Sequence, residues 1–394
     1  MKKPAIVTLL FVSAVLMTSS PPMQVAADGG TPSFSVTFTG PEESVAFSHQ
    51  LQYTPDENIS FIRSAGKIHL WTQGTTPTGG GTYYFTGSGF DSLPPHQTAD
   101  GKPVPVLSPS GSGFDSTYAG SGGVMWSSNG ADLLMFYHGE DHSCSQNEDP
   151  VAGIGLARSS DGGATWTRAG QVISSPELPS DCNYTGFKGA GNPTVLVSGD
   201  GNYMLMYYVE WLSSRPDSIS LARAPIASDG MPGAWFKYKD GEFTEPGLGG
   251  LSDPVIQRPS EKAGYAGVPN VTYNTFLNLY LALVMGHDGF YYASSPDGVN
   301  WTTPKLLWQV PALTVWKDLS NGEDWYYYPT LLSLDQDTDD RSTRTGYLYY
   351  ARGTRGGPPH TTFRRPVKIS YSTYLPMILK ANLLGSTPTP TTIA

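Results

Sequence analysis

The stretch "GGVMWSSNGADLLMFYHGE" (Gly122–Glu140) joins a short apolar strand, a polar Asn-Gly turn and a longer apolar-aromatic strand. The same order returns in "NPTVLVSGDGNYMLMYYVE" (Asn192–Glu210) and "VPNVTYNTFLNLYLALVMG" (Val268–Gly286). It returns with a longer turn in "YPTLLSLDQDTDDRSTRTGYLYYARG" (Tyr328–Gly353), and more weakly in "ISFIRSAGKIHLWTQG" (Ile59–Gly74). Short apolar runs bounded by Gly, Asn and Asp turns read as strands, and each pair reads as a hairpin.

A third strand follows most hairpins: "GTYYFTGS", "GIGLARSS", "SISLARAP" and "GFYYASSP". A turn and a fourth segment come next, as in "WTRAGQVI" and "WTTPKLLW". The chain therefore holds five four-stranded units at a spacing of roughly 60–75 residues, longer than common propeller repeats. A four-stranded antiparallel sheet cannot bury both faces alone, so such units stack radially. The expected fold class is all-β, a five-bladed β-propeller of four-stranded antiparallel blades. "SFSVTF" (Ser33–Phe38) is expected to pair into the last blade and close the ring. A plain β-sandwich is the alternative, and it leaves five similar units unexplained.

Composition agrees. Among 394 residues, 45 are Gly and 33 Pro, aromatics make 12% and charged residues 15%. A net charge of −10 argues against nucleic acid and anionic membranes as partners and leaves a hydroxyl-rich glycan compatible. Lys2 and Lys3, the apolar run Ala5–Met17 and small residues at Val25 and Ala27 read as a secretory leader over 1–27. An uncleaved anchor is the alternative there. The propeller domain is expected over 28–373, and a Ser/Thr/Pro-rich tail without fixed structure over 374–394. Within the tail, "YLPMILK" resembles a C-terminal signature of exported bacterial proteins. Cys144 and Cys182 are the two cysteines; in an exported chain they suggest one disulfide, free thiols being the alternative.

"SSDGGATW" (Ser159–Trp166) resembles the Asp-box, with Ser159, Asp161, Gly163, Thr165 and Trp166 in place, and "SSPDGVNW" (Ser294–Trp301) is a shorter relative. Both stand between third and fourth strands, at the outer edge of a blade, so Asp161 is expected to be structural. The whole pattern, over about residues 50–370, resembles the five-bladed propeller glycosidases: arabinanases, furanosidases and fructosidases. That resemblance implies glycoside hydrolysis by an Asp/Asp/Glu set drawn from different blades. An arginine triad of the sialidase kind is not evident, since "FIRSAGK" around Arg63 departs from its motif.

In each unit the start of the first strand and the end of the second share one rim, around the central funnel. Acids recur there: Asp56 and Glu57, Asp115, Glu140 and Asp141, Glu210, Asp288, Glu323 and Asp324. Glycoside hydrolysis needs one protonated and one ionised carboxylate. Glu210 is the candidate general acid, Asp115 the candidate base or nucleophile and Asp324 an orienting acid, with Glu140 and Asp253 as rivals. Trp211, Trp325 and Tyr327 are candidate sugar platforms. Asp141, His142, His287 and Asp288 are candidate substrate-binding groups. No cofactor is expected. "DQDTDD" (Asp335–Asp340) has a calcium-loop look without the required Gly and Glu, and is expected to be a solvated turn, structural Ca²⁺ being the alternative. The expected partner is a carbohydrate substrate bound by a monomer. A non-catalytic glycan-binding propeller and a polysaccharide lyase are the competing functions.

Overall fold

The computed structural model describes residues 33–372, apart from 77–78, 145–148, 180 and 313–318. The expected leader (1–27) and tail (374–394) lie outside the described residues. Among the described residues the regular elements are β-strands and three short 3₁₀ turns, and no helix is long and apolar enough to cross a membrane.

Strand β1 (Phe34–Phe38) and the short β2 (Glu43–Ser44) come first. Four strands then pair in sequence order: β3 (Ser60–Ser64), β4 (Lys67–Thr76), β5 (Gly79–Gly87) and β6 (Pro105–Leu107). The second unit is β7 (Tyr118–Trp126), β8 (Leu133–Asp141), β9 (Val151–Ser159) and β10 (Thr167–Ile173). The third is β11 (Lys188–Val197), β12 (Tyr203–Trp211), β13 (Ile219–Pro225) and β14 (Phe236–Lys239), extended by β15 (Glu242–Pro246) and flanked by β16 (Pro254–Ile256). The fourth is β17 (Gly267–Asn274), β18 (Leu279–Gly286), β19 (Gly289–Ser295) and β20 (Lys305–Gln309). The last is β21 (Asp324–Leu332), β23 (Thr345–Thr354) and β24 (Thr361–Tyr371), with β22 (Arg341–Ser342) inside its first turn. Its fourth strand is β1, which pairs with β24 from Phe34↔Tyr371 to Phe38↔Val367, as "SFSVTF" predicts.

Near-continuous apolar strands such as "LLMFY" bury both faces, and the core explains where each goes. Among the described residues there are five buried clusters, and each straddles two neighbouring units. Trp71 and Met135 join the first and second units, Phe136 and Met206 the second and third. Tyr207 and Val271 join the third and fourth, Leu283 and Leu331 the fourth and fifth, and Phe85 and Leu332 the fifth and first. The first strands of the first to fifth units meet in succession, and the Ile59 amide donates to Thr330 Oγ1 (3.3 Å) where the last unit meets the first. A two-layer sandwich has one such interface, so it does not describe this core.

Three first strands share one irregularity. A bulge separates Gly191 from Thr194 in β11, Gly267 from Asn270 in β17 and Tyr327 from Thr330 in β21. Each bulge holds an X-Pro pair: Asn192-Pro193, Val268-Pro269 and Tyr328-Pro329. Each residue before Pro has a left-handed backbone, at φ 50°, 47° and 54°. Proline removes a ladder donor and is tolerated inside a sheet essentially only at bulges, where the strand bends. The kink turns Asn192, Val268 and Tyr328 towards one central space.

Two turns reach across units. In Ser159–Trp166 the Gly163 carbonyl accepts from Trp166 Nε1 (3.0 Å) and from Trp71 Nε1 of the first unit (3.2 Å). Asp161 accepts from Ser159 Oγ, the Ala164 and Thr165 amides and Thr165 Oγ1. Burial works against its charge, but these donors hold its carboxyl down at about 2. "DQDTDD" differs from the solvated turn expected of it. The residues directly after it form β22, which pairs with β17. The Arg63 amide donates to the Asp337 carbonyl (2.6 Å), and Asp339 Oδ1 accepts from the Phe61 amide (3.3 Å). The loop is long enough to meet the free edge of β3, whose amides need acceptors. Among the described residues no group of three or more His, Cys, Asp or Glu side chains is placed to hold a metal ion.

Candidate active site

The bulged first strands and the ends of second strands enclose a central cavity of about 690 Å³. Asp56, Glu57, Tyr118, His138, Glu140 and Asn192 line one side, with Tyr327 and Tyr328 beside them. Lys188, Trp211, Asp217, Tyr265 and Val268 line the rest.

Glu140 ends β8 and is largely buried. Its Oε1 meets His138 Nε2 (2.9 Å) and its Oε2 meets His142 Nε2 (2.7 Å). The Asn192 amide donates to His138 Nδ1 (3.0 Å), which leaves the His138 proton on Nε2, aimed at Glu140. Burial opposes the Glu140 charge, yet the two imidazole donors outweigh it and hold the carboxyl at about 2. Hydrogen bonding to Glu140 in turn raises the His142 imidazole above its ordinary value.

Two acids nearby behave oppositely. Burial, reinforced by the Glu140 charge, pushes Asp56 up to about 7. Tyr328 Oη donates to Asp56 Oδ1 (3.1 Å) and Tyr118 Oη to its carbonyl (2.6 Å). Glu57, 1% exposed, is pushed up to about 8, chiefly by burial. Its Oε1 accepts from Asn192 Nδ2 (2.6 Å), and its Oε2 has no partner among the described residues. Across the cavity, burial raises Asp217 to about 6 against the pull of Lys188 and Arg215. Near pH 7 the cavity thus holds an ionised Glu140 beside Asp56, about half-protonated, and Glu57, mostly protonated.

Of the residues singled out from the sequence, Glu140, Trp211 and Tyr327 line this cavity, and His142 binds Glu140. Trp211 packs against a tilted Phe187 ring (5.3 Å) and edge-to-face with His138 (6.2 Å). Glu210 lies elsewhere. It is fully buried, with Oε1 on Lys237 Nζ (2.6 Å) and Oε2 on Ser252 Oγ (2.5 Å). Asp115 is also buried, bound by Arg168 Nε (2.6 Å), Tyr137 Oη (2.9 Å) and Ser110 Oγ (2.7 Å). Asp324 pairs with Arg352 Nη2 (2.5 Å) and Thr354 Oγ1 (2.6 Å). Asp141 accepts from Ser116 Oγ (2.8 Å), and Asp288 from Tyr291 Oη (2.6 Å). Asp253 pairs with Lys239 (3.0 Å). His287 packs on the cavity residue Tyr265 (4.8 Å), and Trp325 on His360 (5.0 Å). None of these last seven lines the cavity.

The offset of Glu210 has a simple cause. Val124 faces Met135 in the second unit as Val195 faces Met206 in the third. Counting on from Met135 and Met206, Glu140 matches Trp211, and Glu210 matches Gly139. Side chains alternate along a strand, so a shift of one residue sends Glu210 to the other face. A Cβ on Gly139 would meet Asp115 and Phe114, which marks the face that Glu210 shares.

The sequence reading placed Asp56 and Glu57 at the funnel rim without a role, and it passed over His138, Tyr118, Asn192 and Asp217. The repeated X-Pro pair in three first strands is the local signal for Asn192 and Tyr328. The Cys144–Cys182 disulfide is formed. It fastens the turn after β8 to the segment ahead of β11, where Thr185, Gly186, Phe187 and Lys188 wall the cavity.

No family model and no curated protein matches this chain. Among solved structures it is similar to the catalytic domain of a GH62 α-L-arabinofuranosidase from Coprinopsis cinerea. They share 13% identity over 85% of this chain and 97% of that one, at a TM-score of 0.48. It is similar to Zg3597, a family 117 glycoside hydrolase from Zobellia galactanivorans, at 12% identity over 86% and 90% of the two chains, TM-score 0.48. An exo-1,5-α-L-arabinanase from a bovine ruminal metagenomic library shares 12% identity over 78% and 91%, TM-score 0.46.

Proposed function

We propose that this chain is an exported, monomeric five-bladed β-propeller glycoside hydrolase that cleaves furanoside-type linkages in a polysaccharide or oligosaccharide. One observation carries the reading: the central cavity sets an ionised carboxylate, Glu140, beside a carboxylic acid, Asp56, that is half-protonated near pH 7. Glycosidic cleavage needs that division of labour. Asp56 donates its proton to the leaving oxygen, and Glu140 either takes a proton from a water that attacks the anomeric carbon or attacks that carbon itself, the glycosyl ester then being hydrolysed by water. His138 and His142 orient Glu140 without occupying both lone pairs of either oxygen. Glu57, buried and bonded to Asn192, tunes its neighbours, and Trp211 offers a ring face to the sugar. The furanoside class and the export follow the resemblance of the repeats and turns and the leader-like start. Glu140 and Asp56 thus take the roles that the sequence pattern assigned to Asp115 and Glu210.

Release of sugar from a panel of arabinans, arabinoxylans and fructans tests this. Glu140→Gln and Asp56→Asn should each slow release by roughly 10²–10⁴-fold with the thermal melt nearly unchanged. The working form has Asp56 protonated, so activity should fall as pH rises through about 7, while loss of the Glu140 charge waits until pH nears 2. Full activity in both variants rejects the assignment. Tight glycan binding without turnover in the wild type rejects hydrolysis in favour of a binding propeller.

A further inference from the structure

The third unit carries something the other units lack. After its fourth strand the chain turns back through Asp240-Gly241, both with positive φ (51° and 88°), into the extra strand β15. Asn-Gly-like or Asp-Gly pairs in this conformation make a tight hairpin. Asp253 secures it, accepting from Lys239 Nζ (3.0 Å) and the Asp240 amide (2.8 Å). The hairpin brings Phe243 and Glu242 against Arg223 of β13, opposite Val299 and Asn300 in the turn of the fourth unit. Together they bound a groove of about 420 Å³ that shares no lining residue with the central cavity.

Arg223 is the unusual member. Its Cζ lies 4.4 Å from the Tyr203 ring centroid and 4.2 Å from that of Phe243. Tyr238 backs Phe243 at 5.3 Å. Among the described residues the guanidinium has ring contacts but neither a hydrogen bond nor an ion pair. Five N–H donors are thus held by two aromatic rings at the wall of a groove, with no protein acceptor. Cation–π contact fixes the plane while leaving the donor edge free. Glu242 adds unpaired acceptors to the same groove, and Tyr238 and Phe243 add ring surface. Fixed donors, acceptors and rings match a ligand whose hydroxyls both give and take hydrogen bonds and whose ring has an apolar face. A polyanion would meet the Glu242 charge instead.

We propose that this groove is a second glycan-binding site, specific for a neutral sugar chain, which anchors polymeric substrate on the outer edge between the third and fourth units. Its anchoring role rests on the proposed hydrolase function, whereas its glycan binding does not.

The test is affinity electrophoresis of the full chain in gels containing linear arabinan, inulin or xylan as neutral probes and polygalacturonate as the anionic one. It is run in the Glu140→Gln background, so that binding is not followed by turnover. Arg223→Ala and Phe243→Ala should each weaken retardation by a neutral probe about tenfold, with melts within a few degrees of the parent. Glu242→Gln, the mildest change, should weaken it less. With Glu140 restored, Arg223→Ala should leave turnover of a small aryl furanoside unchanged and slow that of the polymer. The proposal is overturned if no neutral probe retards the parent, if Arg223→Ala binds as the parent does, or if polygalacturonate alone is retained. Binding that depends on Arg223 in a chain with no hydrolytic activity would keep this site and remove the hydrolase reading. Hydrolysis indifferent to Arg223 in both substrates would do the reverse.

Discussion

Glu140 and Glu210 stand one residue apart in equivalent strands, and that single step separates two chemistries. Glu140 meets a cavity and two imidazoles, while Glu210 meets a lysine in the protein interior. The Lys237 ammonium also donates to the Ser174 and Gly250 carbonyls (2.7 and 2.5 Å), and both charges are fully buried. Burial pulls the Lys237 pKa below its ordinary value, and the Glu210 charge opposes that fall. Removing one partner of such a pair strands the other in a medium that solvates it poorly. Glu210→Gln should therefore cost roughly 3–5 kcal/mol in a urea melt. A stability within about 0.5 kcal/mol of wild type would show that the pair is not needed. The acidic character of both positions is plain in the sequence. Which of them stays charged in reach of a ligand depends on neighbours 27 to 50 or more residues away, such as Lys237 for Glu210 and Asn192 for His138.

Turns and bulges do more here than reverse the chain. The Ser159–Trp166 turn is legible from its own residues, since its Ser, Asp and Gly satisfy one another locally. Its second task is not legible: the Gly163 carbonyl takes the indole of Trp71, 92 residues away. The Ser295–Trp301 turn repeats the arrangement, with Tyr207 Oη donating to the Gly298 carbonyl (2.6 Å). Each turn therefore clasps its unit to the one before it. Gly163 has φ +92°, and a Cβ there would lie 2.2 Å from the Trp71 ring, whereas Gly162 has φ +76° and open space around it. Gly162→Ala should cost about 1 kcal/mol, the backbone penalty alone. Gly163→Ala should cost a further 1–3 kcal/mol or so, because the buried ring has to move. Equal losses in chemical denaturation would deny the clasp. The X-Pro bulges follow the same logic. The prolines are visible along the chain, but that they line up around one space follows from the pairing of β11, β17 and β21 with their partners.

Apolar cores join each described unit to its neighbours, and the two ends of the described chain share one sheet. β1 contributes the outer strand of the last unit, so the sheet that holds β24 is built from both termini. Phe34 and Val36 bury their side chains in the core shared with the fourth unit. Deleting residues 33–38 should expose the β24 edge, lower the melting temperature by several degrees or more and promote aggregation. A truncated chain that melts as the full one does would show that β1 is dispensable. The all-β hairpin repeat, the closing segment and the disulfide partners could be inferred from residue order, because alternation, turn chemistry and cysteine parity are local properties. Which carboxylates line the cavity could not. The face a strand residue takes is set by register and bulges against distant strands. The charge it carries is set by burial and by donors those strands bring. Asp56 and Glu57 precede the first unit's opening strand and Glu140 lies near the end of β8 in the second unit, and only the packing of the units places them around one cavity.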